Sequence, residues 1–223
     1  DIATSTDFAG GNMGVRFATF DDNWKQTSET EVDAKVCECC PTSAVVTDDG
    51  VLTAFRDRDE NEIRDIHVSR LKNGTWTAPV AVHRDNWEIY ACPVNGAMLS
   101  ANGRTAAAAW FTVKNDQGQA YAAFSSDAGR TWGAPIRLDD GGSTGRVDIE
   151  LLENGRAVAT WIEFPNQRPE LRLRLFDPSG ARSPAITVAE RPSNGYPRLA
   201  RQENELILAW GERAGGNART LRT

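Results

Sequence analysis

An all-β fold built from a repeated four-stranded unit is the class this sequence predicts, and three observations predict it. One form recurs four times, a strand, a polar turn and a strand ending in an aromatic residue: "AVVTDDGVLTAF", "AMLSANGRTAAAAW", "IELLENGRAVATW" and "PRLARQENELILAW". The turn glycines Gly50, Gly103 and Gly155 stand 53 and 52 residues apart. Finally, 19 Gly and 10 Pro are spread along the 223 residues, the punctuation of many short elements joined by turns. A unit of about fifty residues with four short antiparallel strands is a β-propeller blade, which cannot bury both faces alone and stacks radially on its neighbours.

The elements follow in order. "VRFATFDDNWKQTSETEV" supplies the outer hairpin of a partial blade at 13–30. Complete blades span 44–82, 97–138 and 149–188, and a last blade begins in 197–223, so that 1–223 reads as a single propeller domain. Each complete blade closes with a second hairpin: "RDIHVSRLKNGTWTAPVAV", "AYAAFSSDAGRTWGAPIRL" and "ELRLRLFDPSGARSPAITV", with turn glycines Gly74, Gly129 and Gly180. The alanine run at 106–109 suits a helix on propensity alone, but its place in the repeat makes it a strand whose small side chains permit tight packing.

The formal charge of −6, with both signs interspersed, argues against a nucleic-acid partner, which requires a basic patch. No apolar run approaches the roughly 18 residues of a membrane span. "DIATSTDFAGG" lacks the basic and apolar zones of a signal peptide. A turn-rich β chain with 7 Trp and clustered cysteines points to export, periplasmic, cell-envelope or secreted, with any signal already removed.

"SSDAGRTW" fits the pattern S-x-D-x-G-x-T-W at every specified position, and "LKNGTWTAP", "FDDNWKQ" and "FDPSGARSP" are degraded copies in the same slot. On these residues the chain resembles the Asp-box (BNR-repeat) β-propellers of the sialidase superfamily, over residues 13 to 223. The resemblance implies a structural turn, in which Ser125 and Asp127 accept from local amides, Gly129 takes a positive φ, Thr131 completes the motif and Trp132 packs between blades. Family propellers usually have six blades, so the about four visible here are expected to be the C-terminal part of a six-bladed ring. An open ring exposes blade faces and edges, which makes self-association an expectation. "CECCPT" and "NWEIYACP" resemble a bacterial subgroup of exported sialidase-like propellers with a Cys-rich first connection.

Cys40-Pro41 and Cys92-Pro93 open the innermost strands of adjacent blades, 52 residues apart, which places all four cysteines around one channel mouth. Three readings stand. One is a pair of disulfides, one local and one tying Cys39 or Cys40 to Cys92. Another is a metal site of Cys37, Cys39, Cys40 and Cys92, with His83 as a fifth contributor, taking Cu or Zn because both prefer thiolates. A redox or nucleophilic cysteine is the last. His67 reads as a hydrogen-bonded structural histidine.

The same mouth receives "HRDNWEIY", "RDRDENEIR" and "DDGGSTGR". Trp87, Glu88, Tyr90, Arg56 and Arg64 are therefore the candidate ligand-binding residues, for a small molecule, glycan or metal ion. The sialidase resemblance implies a three-arginine clamp, a tyrosine nucleophile activated by a glutamate, and an aspartate as acid/base. Arg56, Arg58, Arg64, Arg146 and Arg198 are available for the clamp, and Tyr90 or Tyr196 with Glu88 for the nucleophile. The family's Phe-Arg-Ile-Pro segment is absent, "AFRDRD" being its faint echo. The expectation is a ligand-binding module. An exo-α-sialidase or related glycoside hydrolase, and a purely disulfide-stapled structural propeller, are the alternatives.

Overall fold

The computed structural model describes residues 13–213 and 219–222, and among them it contains eighteen β-strands and no α-helix. A hairpin of β1 (Met13–Phe20) and β2 (Gln26–Val36) leads into four antiparallel sheets. The first holds β3 (Ser43–Thr47), β4 (Gly50–Arg56), β5 (Ile66–Lys72) and β6 (Thr75–Trp76), with β7 (Val80–Ala81) also on β5. The second runs β8 (Met98–Asn102), β9 (Thr105–Lys114), β10 (Gln117–Ser125), β11 (Ile136–Arg137). The third runs β12 (Ser143–Leu151), β13 (Ala157–Glu163), β14 (Glu170–Phe176), β15 (Ile186–Glu190). The last has β16 (Arg198–Gln202), β17 (Glu205–Arg213) and β18 (Arg219–Arg222). No helix among the described residues is long and apolar enough to cross a membrane.

Successive sheets are joined by one recurring bond along their first strands. The Leu99 amide donates to Ser43 Oγ (3.1 Å), that of Leu151 to Ser100 Oγ (2.9 Å), and that of Leu199 to Asp148 Oδ2 (2.8 Å). A period of 51 to 56 residues in sequence thus becomes contact in space, as stacked modules require.

β9 explains the alanines. Ala106, Ala108 and Trp110 join Leu52, Ala54, Ile66 and Val68 of the first sheet, while Ala107 and Ala109 join Ile149, Leu151, Ala159 and Trp161 of the third. Alternate residues on a strand face opposite sides, so a sheet buried on both faces reads as continuously apolar. Methyl side chains let the flanking sheets come close, and the neighbouring Trp110 and Trp161, both fully buried, fill the remaining depth.

The turn after β10 is held by its own side chains. Ser125 Oγ accepts from the Gly129 amide (2.9 Å) and donates to Asp127 Oδ1 (2.8 Å), while Asp127 accepts from the amide and the hydroxyl of Thr131, both at 2.8 Å. Gly129 sits at φ +79°, and a Cβ there would lie 2.5 Å from Leu52 Cδ1. Trp132 packs on the core between the first two sheets. Partial burial opposes ionisation of Asp127, yet the amide and hydroxyl of Thr131 and then the hydroxyl of Ser125 hold its carboxyl down at about 2. A folded-state value below the unfolded one, about 3.9, stabilises the fold above that pH, and the contribution is lost as pH falls through about 2. Ser125→Ala is expected to cost about 1–2 kcal/mol in urea unfolding at pH 7. Asp127→Asn is expected to flatten the decline of stability between about pH 4 and pH 2. Wild-type slopes in Asp127→Asn would contradict this account.

Candidate functional site

The "CECC" turn is anchored before it begins. Val36 is buried and bridges to Asp57, and the Cys37 amide donates to Arg56 O (2.8 Å), which fixes the turn against the end of β4. The Cys40 amide returns to Cys37 O (3.4 Å), and this tight turn leaves the Cys37 and Cys40 sulfurs 3.1 Å apart. Cys39 Sγ lies 3.9 Å from Cys37 Sγ. It is joined by a disulfide to Cys92, 53 residues away, with the two Cα atoms 6.1 Å apart.

One cross-link between adjacent sheet connections is therefore present. The local second disulfide is not: Cys37 and Cys40 are free buried thiols that share a hydrogen bond. Under denaturing, non-reducing conditions a thiol reagent is expected to find two equivalents, and peptide mapping to return Cys39–Cys92 as the cross-link. Zero or four thiols would contradict the arrangement.

The pair is embedded in charge. Arg64 Nη1 donates to Cys37 Sγ (3.4 Å). Arg58 and Arg64 both clamp Glu62, at 2.7 and 2.8 Å, and each stands 3.9 Å from Glu38 Oε2, a buried oxygen with no hydrogen-bond partner. The Arg58 bond, then that of Arg64 against slight burial, holds Glu62 at about 2. The hydrogen bond from Cys40 brings the Cys37 thiol down to about 6 against the penalty of burial, with help from Arg64 and the charge of Arg56; Cys40, holding the shared proton, is pushed up.

Several expected site residues have structural roles instead. Arg56 is 1% exposed, and its guanidinium donates to Asn95 O (2.7 Å), Arg64 O (2.5 Å) and Phe111 O (2.7 Å), so it is buried away from any ligand and braces backbone instead. Trp87, 8% exposed, lies under Arg56 at 5.0 Å and edge-on to Phe111, which removes it as an open aromatic wall. Arg64 is buried and committed to Glu62 and Cys37. His83 does not join the sulfurs: its Nδ1 lies 2.9 Å from Asp85 Oδ1, and Asp85 also accepts from Trp110 Nε1. His67 Nδ1 faces Asp57 Oδ2 at 3.4 Å.

Of the remaining candidates, Tyr90 is 78% exposed with Glu88 as its hydrogen-bond partner. The Tyr196 hydroxyl donates to Val94 O and accepts from Arg146 Nη1 (3.0 Å), and its ring is covered by Arg146 and Arg198. The glutamate thus partners Tyr90, while the hydroxyl of Tyr196 is engaged by Val94 O and Arg146.

Arg146, the partner of Tyr196, lines a cavity of about 950 Å³. Arg146, Arg168 and Arg191 line it, together with Phe164, Asn95 and Ser193; among the described residues no Asp or Glu does. Among the described residues, none of these three arginines is ion-paired. Arg146 is posed by the Asn95 side chain, which accepts from its amide (2.9 Å), and its Nη1 also donates to Val94 O. The Arg191 amide donates to Pro169 O (2.8 Å), joining the two loops that carry Arg168 and Arg191. Phe164 is 42% exposed. Val94, Arg146, Asn166, Gln167 and Arg191, in or beside these walls, have φ between 49° and 63°. Such conformations are costly for non-glycine residues, most of all for β-branched Val94, and concentrate at functional sites. Sequence reasoning missed Arg168, Arg191 and Phe164. The available signal was the pair of Arg-Pro dipeptides, 168–169 and 191–192, one in a turn and one before the next sheet.

No protein-family model matches this chain, and no curated protein does. Solved structures do. A protein of unknown function from Dyadobacter fermentans aligns at 14% identity and TM-score 0.53, over 76% of this chain and 60% of its own. An endo-arabinase from Bacteroides thetaiotaomicron aligns at 12% identity and TM-score 0.51, over 96% and 94%. A bifunctional GH43-CE protein from Bacteroides eggerthii aligns at 11% and 0.51, over 83% and 26%. The chain thus spans less than two thirds of the Dyadobacter protein and about a quarter of the GH43-CE protein. These likenesses show a β-propeller fold.

Proposed function

We propose that this chain is the ligand-binding part of an exported, sialidase-like β-propeller, and that its arginine-lined cavity takes an acidic glycan. The observation that carries the reading is the lining itself: three guanidiniums without a carboxylate, beside an exposed phenyl ring, in a cavity of glycan size. Guanidiniums match a carboxylate with paired N–H donors, and an aromatic face packs against the C–H face of a sugar ring. The hydrogen-bonded Ser125–Thr131 turn supports the Asp-box assignment, and the Cys39–Cys92 disulfide supports an oxidising compartment. On this reading the sheets are blades of a single propeller domain, about four of the six that the sialidase resemblance implies.

Binding is favoured over hydrolysis. Glycosidases flank the scissile bond with two carboxyl groups, or use a tyrosine paired with a glutamate. The cavity lining contains neither arrangement, because Glu88 accompanies Tyr90 while Tyr196 is held by arginines. The endo-arabinase similarity, which shows fold alone, is consistent with a glycan as the ligand class. Calorimetric titration with sialyllactose, uronic-acid oligosaccharides and neutral lactose tests the reading. Binding of an acidic sugar, weakened by salt, is expected. Equal affinity for neutral and acidic sugars, or binding of neither acidic class, would overturn it.

A further inference from the structure

We infer that Cys37, Cys39, Cys40 and Cys92, once the Cys39–Cys92 bond is reduced, form an all-sulfur site for one thiophilic d10 cation, Cu(I) or Zn(II). The inference is independent of the arginine cavity. Cys37, Cys39 and Cys40 place their sulfurs within 4.8 Å of one another, and Cys92 is bonded to the middle of the three. A metal–sulfur distance of about 2.3 Å in a tetrahedron sets sulfurs roughly 3.8 Å apart. Cys37 and Cys39 already stand at 3.9 Å, while Cys37 and Cys40, at 3.1 Å, need to open by less than about 1 Å.

The surroundings favour an anionic metal–thiolate centre. The guanidiniums of Arg56, Arg58 and Arg64 are buried around the turn, and positive charge beside the sulfurs favours thiolates over thiols. The Arg64 bond to Cys37 Sγ is of the kind that orients and stabilises a ligand sulfur. His83 is held by Asp85, so the donor set is sulfur only, which selects a soft ion.

Loading balances in two steps. A phosphine and one water reduce the disulfide to two thiols and leave a phosphine oxide; a dithiol would instead leave its own disulfide. The cation then replaces the protons of the coordinating thiols, which pass to solvent.

The test uses the whole chain, reduced with tris(carboxyethyl)phosphine and desalted without oxygen. Cu(I) is titrated against bicinchoninate and Zn(II) against pyridylazoresorcinol, with circular dichroism recorded throughout. One equivalent of at least one ion is expected, bound at least 100-fold more tightly than by the protein with its disulfide intact. The bound ion is expected to slow alkylation of all four cysteines at least tenfold, as counted by mass spectrometry; this readout needs no variant. Cys92→Ser is expected to weaken binding at least tenfold. A folded, fully reduced protein that takes neither ion, or whose alkylation is unchanged by it, would overturn the inference. So would loss of the β-sheet spectrum on reduction before metal is added, since the site requires the reduced fold.

Discussion

Arg56→Met is expected to destabilise the protein by about 3–5 kcal/mol in urea unfolding, although Arg56 does not itself line the cavity and is only 1% exposed. The guanidinium satisfies three carbonyls from three separate segments: Arg64 beyond β4, Asn95 before β8, and Phe111 in β9. Methionine fills much of the volume but donates nothing, and each buried carbonyl left without a donor costs about 1–3 kcal/mol. The cation also sits over the Trp87 ring at 5.0 Å, a further contact that methionine only partly replaces. For a chain of this size the loss corresponds to a fall in Tm of about 2–4 °C per kcal/mol. A loss below about 1 kcal/mol would mean that water or backbone shifts satisfy those carbonyls, and that Arg56 does not hold the first two sheets together.

The second large effect concerns the cavity. Exchanging both Arg168 and Arg191 for alanine is expected to weaken binding of an acidic glycan about 100-fold and to leave stability within about 0.5 kcal/mol of wild type. Both side chains are exposed and free of ion pairs among the described residues, so their removal orphans no buried group. The salt dependence of binding should fall in parallel, because fewer charges then act on the ligand. Arg146→Ala makes a poorer test, since Arg146 also braces Val94 O and Tyr196. An unchanged affinity in the double variant would relocate the ligand away from this cavity.

The difference between Arg56 and Arg168 marks where sequence reasoning stopped. Both lie where the second strand of a sheet leads to the third, and "AFRDRD" is denser in charge than "NQRPE". Yet Arg56 is fully buried and spent on backbone, whereas Arg168 is exposed on the cavity wall. Charge density along the chain carries no information on which way a side chain turns. His83 fails for a similar reason, since Asp85, two residues on, captures its ring nitrogen. The exclusion of a helix at 106–109 was legible, because a repeat overrides local propensity: copies that occupy the same slot must take the same backbone path.

What the sequence determined by itself is the order of short strands and turns and the spacing that brings one sheet's first strand against the next. Those depend on alternation, turn glycines and period, all of which are local or additive along the chain. Only the tertiary structure decided that Cys39 rather than Cys40 bridges to Cys92, that Cys37 and Cys40 stay as thiols, and that three arginines from separate connections share one cavity. These outcomes depend on ångström-scale side-chain direction and on competition for buried hydrogen-bond partners, which neighbours distant in sequence settle after the backbone has taken its path.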